Sequence, residues 1–86
     1  VKELLAELAR GLVDEPGRVR VIEHAEEGGV FLELEVAPAD RGRVIGKHGR
    51  TADALRTLLD AVARQRGMHC DMEVVDDEEP EEEAGR

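Results

Sequence analysis

Apolar side chains recur along this chain with two different periods. At the N-terminus Val1, Leu4, Leu5, Leu8 and Leu12 are spaced by three and four. This predicts a helix over residues 2–13 with one apolar stripe. Lys2, Glu3, Glu7 and Arg10 lie off the stripe, and Asp14-Glu15-Pro16-Gly17 ends the helix. From Val19 to Ala25 and from Val30 to Val36 the period falls to two. Val30, Leu32, Leu34 and Val36 are expected inward, and Phe31, Glu33 and Glu35 outward. Glu26-Glu27-Gly28-Gly29 joins the strands as a four-residue loop, with a two-residue Gly28-Gly29 loop as the alternative. The longer loop sets Val21 against Leu34, Val19 against Val36 and Arg20 against Glu35. Pro38 suits the start of a short helix over 39–45. A glycine turn at Gly46–Gly49 leads into a second helix over 50–66. Its expected buried stripe is Ala52, Leu55, Leu59 and Val62, widened by Ala54, Leu58 and Ala61. A third strand follows over 68–75, with Met68, Cys70, Met72 and Val74 on one face and His69, Asp71 and Glu73 on the other.

The pattern ceases after Val75. Residues 76–86 carry seven acids, one Arg and a Pro, the composition of a disordered acidic tail. This tail accounts for much of the formal net charge of −9. Residues 41–66 reverse the sign, with seven Lys or Arg against two Asp, so the chain is polarised. One Phe and no Trp or Tyr argue against modules that stack bases on aromatic platforms. The chain contains no apolar run long enough to span a membrane and no recognisable secretory leader. A single Cys fits a reducing compartment. The expected location is cytoplasmic, away from any membrane.

The chemistry concentrates in Val44-Ile45-Gly46-Lys47-His48-Gly49-Arg50-Thr51. Two glycines bracket two polar residues at a helix–helix turn, where backbone can approach a ligand closely. The N–H groups opening the next helix favour an anion. Arg41, Arg43, Lys47 and Arg50 add cationic side chains, with no acid between 41 and 50. The arrangement suits a phosphodiester backbone. It is not a nucleotide P-loop, since the glycine spacing is one residue short and the hydroxyl for Mg²⁺ is missing. His24, His48, His69 and Cys70 match no zinc spacing, so no cofactor or metal is expected. No nucleophile–base set or secluded carboxylate pair suggests an enzyme.

The segment Ile45-Gly46-Lys47-His48-Gly49 resembles the signature loop of the KH domain, which clamps about four nucleotides of single-stranded nucleic acid. The element order α-β-β-α-α-β resembles the type II KH fold. That resemblance implies an α+β domain over residues 1–75, with a three-stranded mixed sheet and helices on one face. Val44 to Ala52 is similar to the corresponding segment of the small bacterial KH proteins of the KhpA type. The resemblance implies binding of single-stranded RNA by an RNA chaperone or post-transcriptional regulator. It also implies a homodimer, or a heterodimer with a larger KH-containing protein. The implied RNA-binding residues are Arg41, Arg43, Val44, Ile45, Gly46, Lys47, His48, Gly49 and Arg50. Val44 or Ile45 would floor the groove. Ala52 stands where many KH domains carry a larger aliphatic, which implies a shallower groove. The alternative reading is a protein-interaction module that has the KH fold and binds RNA weakly. Phe31 and Ile22, paired on the outer sheet face, offer a self-association surface under either reading.

Overall fold

A computed structural model describes residues 1–75 of the chain; the predicted acidic tail, residues 76–86, lies outside the described residues. The helices are α1 (Lys2–Leu12), α2 (Arg41–Ile45) and α3 (Arg50–Arg64), and the strands are β1 (Arg20–Glu26), β2 (Gly29–Glu35) and β3 (His69–Val74). Short 3₁₀ turns precede β1 at Pro16–Arg18 and α2 at Pro38–Asp40. Pro16 and Pro38 each open their turn, where a missing N–H costs nothing and φ is already set.

The sheet order is β1-β2-β3, with β1 antiparallel and β3 parallel to β2. The order α-β-β-α-α-β is therefore the expected one. Arg20 faces Glu35 and Val21 faces Leu34, the register expected from the longer loop. Pairing continues to Glu26 and Gly29, which shortens the loop to Glu27-Gly28. Neither Glu26-to-Gly29 nor Gly28-Gly29 describes it. The expected face of β2 is buried: Val30, Leu32, Leu34 and Val36 join Leu5, Ala9, Val44, Leu55, Leu59, Ala63, Cys70 and Met72 in one core. Burial pushes the Cys70 thiol above its ordinary pKa, as desolvation disfavours the charged form.

Two expectations about helix faces and one about a strand face need correction. On α1 the fully buried positions are Leu5 and Ala9, while Leu12 is exposed. On α3 the buried line is Ala52, Leu55, Leu59 and Ala63. Val62 is only half-buried, and Ala54, Leu58 and Ala61 are exposed. Met68 precedes β3 and is exposed rather than packed with Cys70 and Met72. The helices close on the sheet through small side chains at Ala9 and Ala63, so their burial is set by close approach rather than by side-chain size. On the opposite sheet face Ile22 and Phe31 are half-buried. The His24 ring lies 6.0 Å from Phe31 and its Nε2 is 3.1 Å from Glu33 Oε1.

Two carboxylates tie the elements together. Asp40 is buried, and its two oxygens accept the backbone N–H groups of Asp14 and Glu15, each at 3.1 Å. This pins the connection after α1 against the start of α2. Asp60 on α3 accepts the Cys70 N–H at 3.0 Å and the Arg64 Nε at 2.7 Å. Two more contacts fall on β3: Asp71 Oδ1 accepts the Met72 N–H at 2.8 Å, and Arg56 Nε donates to the Met72 carbonyl at 3.0 Å. His69 and Val75 donate their N–H groups toward the β2 side, to Gly28 and Leu34. The groups at Cys70 and Met72 lie on the other edge of the strand and are satisfied by side chains.

The Cys70 N–H, then Arg64, holds the Asp60 carboxyl below its ordinary pKa. A pKa depressed by folding contributes stability above the unfolded-chain value and loses it as pH falls through the folded value. At neutral pH, Asp60→Asn should therefore melt at a lower temperature than the parent protein. The gap should narrow once the pH drops below about 4. Melting curves taken across that range check this, and a gap that stays constant in acid would assign the effect to something other than the charge.

Candidate nucleic-acid interface

α2 ends where Gly46 donates its N–H to the Gly42 carbonyl at 2.8 Å. The chain then turns through Lys47–Gly49, a single 3₁₀ turn, and enters α3 at Arg50. Gly46 has φ 79° and ψ 171°, a region open essentially to glycine alone. A Cβ there would also meet Thr51, with its Cβ at 2.7 Å and its backbone N at 2.8 Å. The first glycine is thus required by the turn and by what packs against it. Gly49 is different: it is left-handed, with φ 75° and ψ 11°, but a Cβ there would meet open space. His48 is left-handed as well, at φ 58°, and histidine is among the residues that tolerate this best.

Gly49 is the N-cap of α3 and supplies no side-chain acceptor. That position is usually held by Ser, Thr, Asp or Asn, whose oxygen satisfies an orphan N–H. Here the Arg50 N–H donates to the Lys47 carbonyl and no side chain caps the N–H groups that follow, so the positive end of the helix dipole favours an external anion. Lys47, His48 and Arg50 are exposed around it.

The predicted residues divide on this geometry. Gly46, Lys47, His48, Gly49 and Arg50 form one exposed turn. Ile45 is 37% exposed and faces a groove, whereas Val44 has no accessible surface and belongs to the core. The groove floor is therefore Ile45, not Val44. Arg43 is committed to acids, its Nη2 lying 3.1 Å from Asp14 Oδ2 and its Nε 3.5 Å from Asp40 Oδ1. It braces the Asp40 clamp beside the loop. Arg41 is half-buried at the first turn of α2.

The groove has a volume of about 330 Å³ and is lined by Ile45, His48, Gly49, Ala52, Asp53, Arg56, Glu73 and Val74. One wall is the glycine turn with the first two turns of α3, and the other is the end of β3. Arg56 crosses between them, bonded to Asp53 Oδ1 at 2.7 Å and to the Met72 carbonyl at 3.0 Å. Asp53, Arg56, Glu73 and Val74 were not singled out from the sequence. Ala52, Asp53 and Arg56 follow Gly49 at three, four and seven residues, which places them on the helix face below the turn. That spacing was a usable signal; the approach of β3 from more than fifteen residues away left none.

The family model described as KhpA/KhpB, KH domain, matches residues 2–74. The chain belongs to this KH-domain family. KhpA-type relatives cover nearly all of the described residues. The chain is 51% identical over 75 residues to an RNA-binding protein KhpA of Treponema pallidum, covering 87% of this chain and 94% of the relative. It is 44% identical over 75 residues to the protein of the same name in Clostridium acetobutylicum, covering 87% and 100%. A third, from Aquifex aeolicus, is 43% identical over 76 residues, covering 88% and 96%. No solved structure gave a significant match. The KhpA/KhpB match includes every residue lining the groove. Among the described residues no helix is long and apolar enough to cross a membrane.

Proposed function

We propose that this chain binds single-stranded RNA in the groove between the glycine turn and β3. The observation that carries the reading is the start of α3, which no side chain caps. It sits beneath an exposed turn bearing Lys47 and Arg50 and opens directly onto an aliphatic floor at Ile45 and Ala52. The turn holds phosphates through backbone N–H groups and the two cations. The floor takes the apolar faces of bases, and the edge of β3 is within reach of their polar rims. A strand must be single for its bases to enter such a cleft. The relatives named RNA-binding proteins support the same reading. In the cell this is binding without catalysis, as a cytoplasmic RNA chaperone or post-transcriptional regulator. It would act as a homodimer or beside a larger KH-containing partner. Residues 76–86 add a polyanionic extension to the 1–75 domain.

A salt titration on an unstructured RNA tests this. Lys47 and Arg50 are the exposed cations of the turn, so about two phosphates are neutralised. The plot of log affinity against log salt should then fall with a slope of about −1.4. A flat plot with weak binding throughout would favour the rival reading, a protein-interaction module with the KH fold.

A further inference from the structure

The groove carries negative charge where its wall meets β3, which is the wrong sign for a phosphate. Asp53 and Glu73 both line it. Arg56 Nη1 takes one carboxylate oxygen of Asp53 at 2.7 Å, and the other oxygen is left for a ligand. Among the described residues the Glu73 carboxylate has no hydrogen-bond or ion-pair partner. An ionised carboxylate only accepts hydrogen bonds. The partners suited to Asp53 and Glu73 are therefore donors, which RNA carries on its base edges and its 2′-hydroxyls and not on its phosphates. The 2′-hydroxyl is the same on every nucleotide, so any preference among bases here comes from the base edges.

The bases differ in what they offer there. Cytosine presents the N4 amino group, adenine the N6 amino group and guanine the N2 amino group, while both exocyclic atoms of uracil are acceptors that flank its single donor, the ring N3–H. Carboxylate acceptance from cytosine N4 is an established pairing geometry. An acceptor set against uracil O4 leaves two lone-pair groups facing each other, a repulsive contact of the kind that produces selectivity. The side chain of Asp53 is 73% exposed, so each contact is partly screened and the discrimination is moderate.

We propose that Asp53 and Glu73 make the groove selective for bases bearing an exocyclic amino group and select against uracil. This rests on the RNA-binding reading above. Cytosine and uracil share one ring and stack alike, so labelled oligo(C) and oligo(U) of equal length isolate the amino group. At fixed salt the parent protein should bind oligo(C) about fivefold tighter or more. Asp53→Asn and Glu73→Gln keep the shape but add an amide donor that uracil O4 can accept. Combined, they should raise affinity for oligo(U) more than for oligo(C) and bring the ratio close to one. Equal affinities in the parent protein would overturn the inference and leave RNA binding intact. So would a double variant that binds both oligomers more tightly at an unchanged ratio, since that is charge removal alone. If neither oligomer binds the parent protein, the RNA-binding reading itself fails and this one with it.

Discussion

Replacing Lys47 and His48 together by Asp should weaken RNA binding by about a hundredfold or more while leaving the domain folded. Both side chains are exposed on the turn, and neither enters the core. A contact between a charged donor and a phosphate is worth roughly 1.5–3 kcal/mol, which is about ten- to a hundredfold in affinity. The double variant loses the lysine contact and places two carboxylates against the phosphates. The backbone tolerates the change, because Asp, like His, accepts the left-handed conformation at position 48. Stability should stay within about 0.5 kcal/mol of the parent, the range of ordinary surface substitutions. Binding isotherms and thermal melts on the same preparations check both halves. Unaltered affinity in a protein with an unaltered melt would falsify the assignment of the turn as the phosphate clamp.

The second large effect separates the two glycines of the turn. At Gly46, alanine must adopt φ 79° and ψ 171°, at a cost of order 1–3 kcal/mol. Its Cβ must also displace Thr51, whose backbone N would lie 2.8 Å away and cannot swing aside as a flexible side chain does. Together these should cost about 3 kcal/mol or more, which lowers the melting temperature of a domain this size by roughly 10–20 °C. At Gly49 the left-handed backbone alone costs roughly 1–2 kcal/mol, and there is no clash. Gly46→Ala should therefore unfold well below Gly49→Ala in a thermal scan. Comparable melts for the two would mean that the close approach to Thr51 is not what holds the turn.

Much of this fold was legible in the residues themselves. The strict alternation of β2 identified its inward face, since a slip by one residue would have put Glu33 and Glu35 into the core, and the length of the hairpin connection identified its register against β1. The glycine turn stood out because its spacing, flanking cations and place in the element order agree. The helix faces were read less well. Apolar size drew the stripes of α1 and α3 toward Leu12 and Val62, whereas contact with the sheet selected Ala9 and Ala63. Small residues look neutral in a hydrophobicity pattern, although they permit the closest approach. The basic segment was overread for a related reason. Arg43, Arg56 and Arg64 all have carboxylate partners. The Asp14 partner of Arg43 lies 29 residues away, beyond any local count of charge. Of the two groove acids, Asp53 was marked by its helical spacing from Gly49, whereas Glu73 had no signature until β3 was placed beside α3.

The side-chain bonds along β3 bear on how this protein behaves when concentrated. A bare outer strand is a template for another chain, and sheet proteins that leave one exposed are prone to intermolecular strand addition. At Cys70 and Met72 the rungs an incoming strand would need are already occupied by Asp60, Asp71 and Arg56. An invading chain would have to break these side-chain bonds to pair at Cys70 and Met72. Extension of the sheet is thereby opposed on the groove side. It is left to the β1 margin, where Arg20, Glu23, His24 and Glu26 set charge against it. The same bonds that position α3 over the sheet thus also guard the molecule against self-propagating assembly.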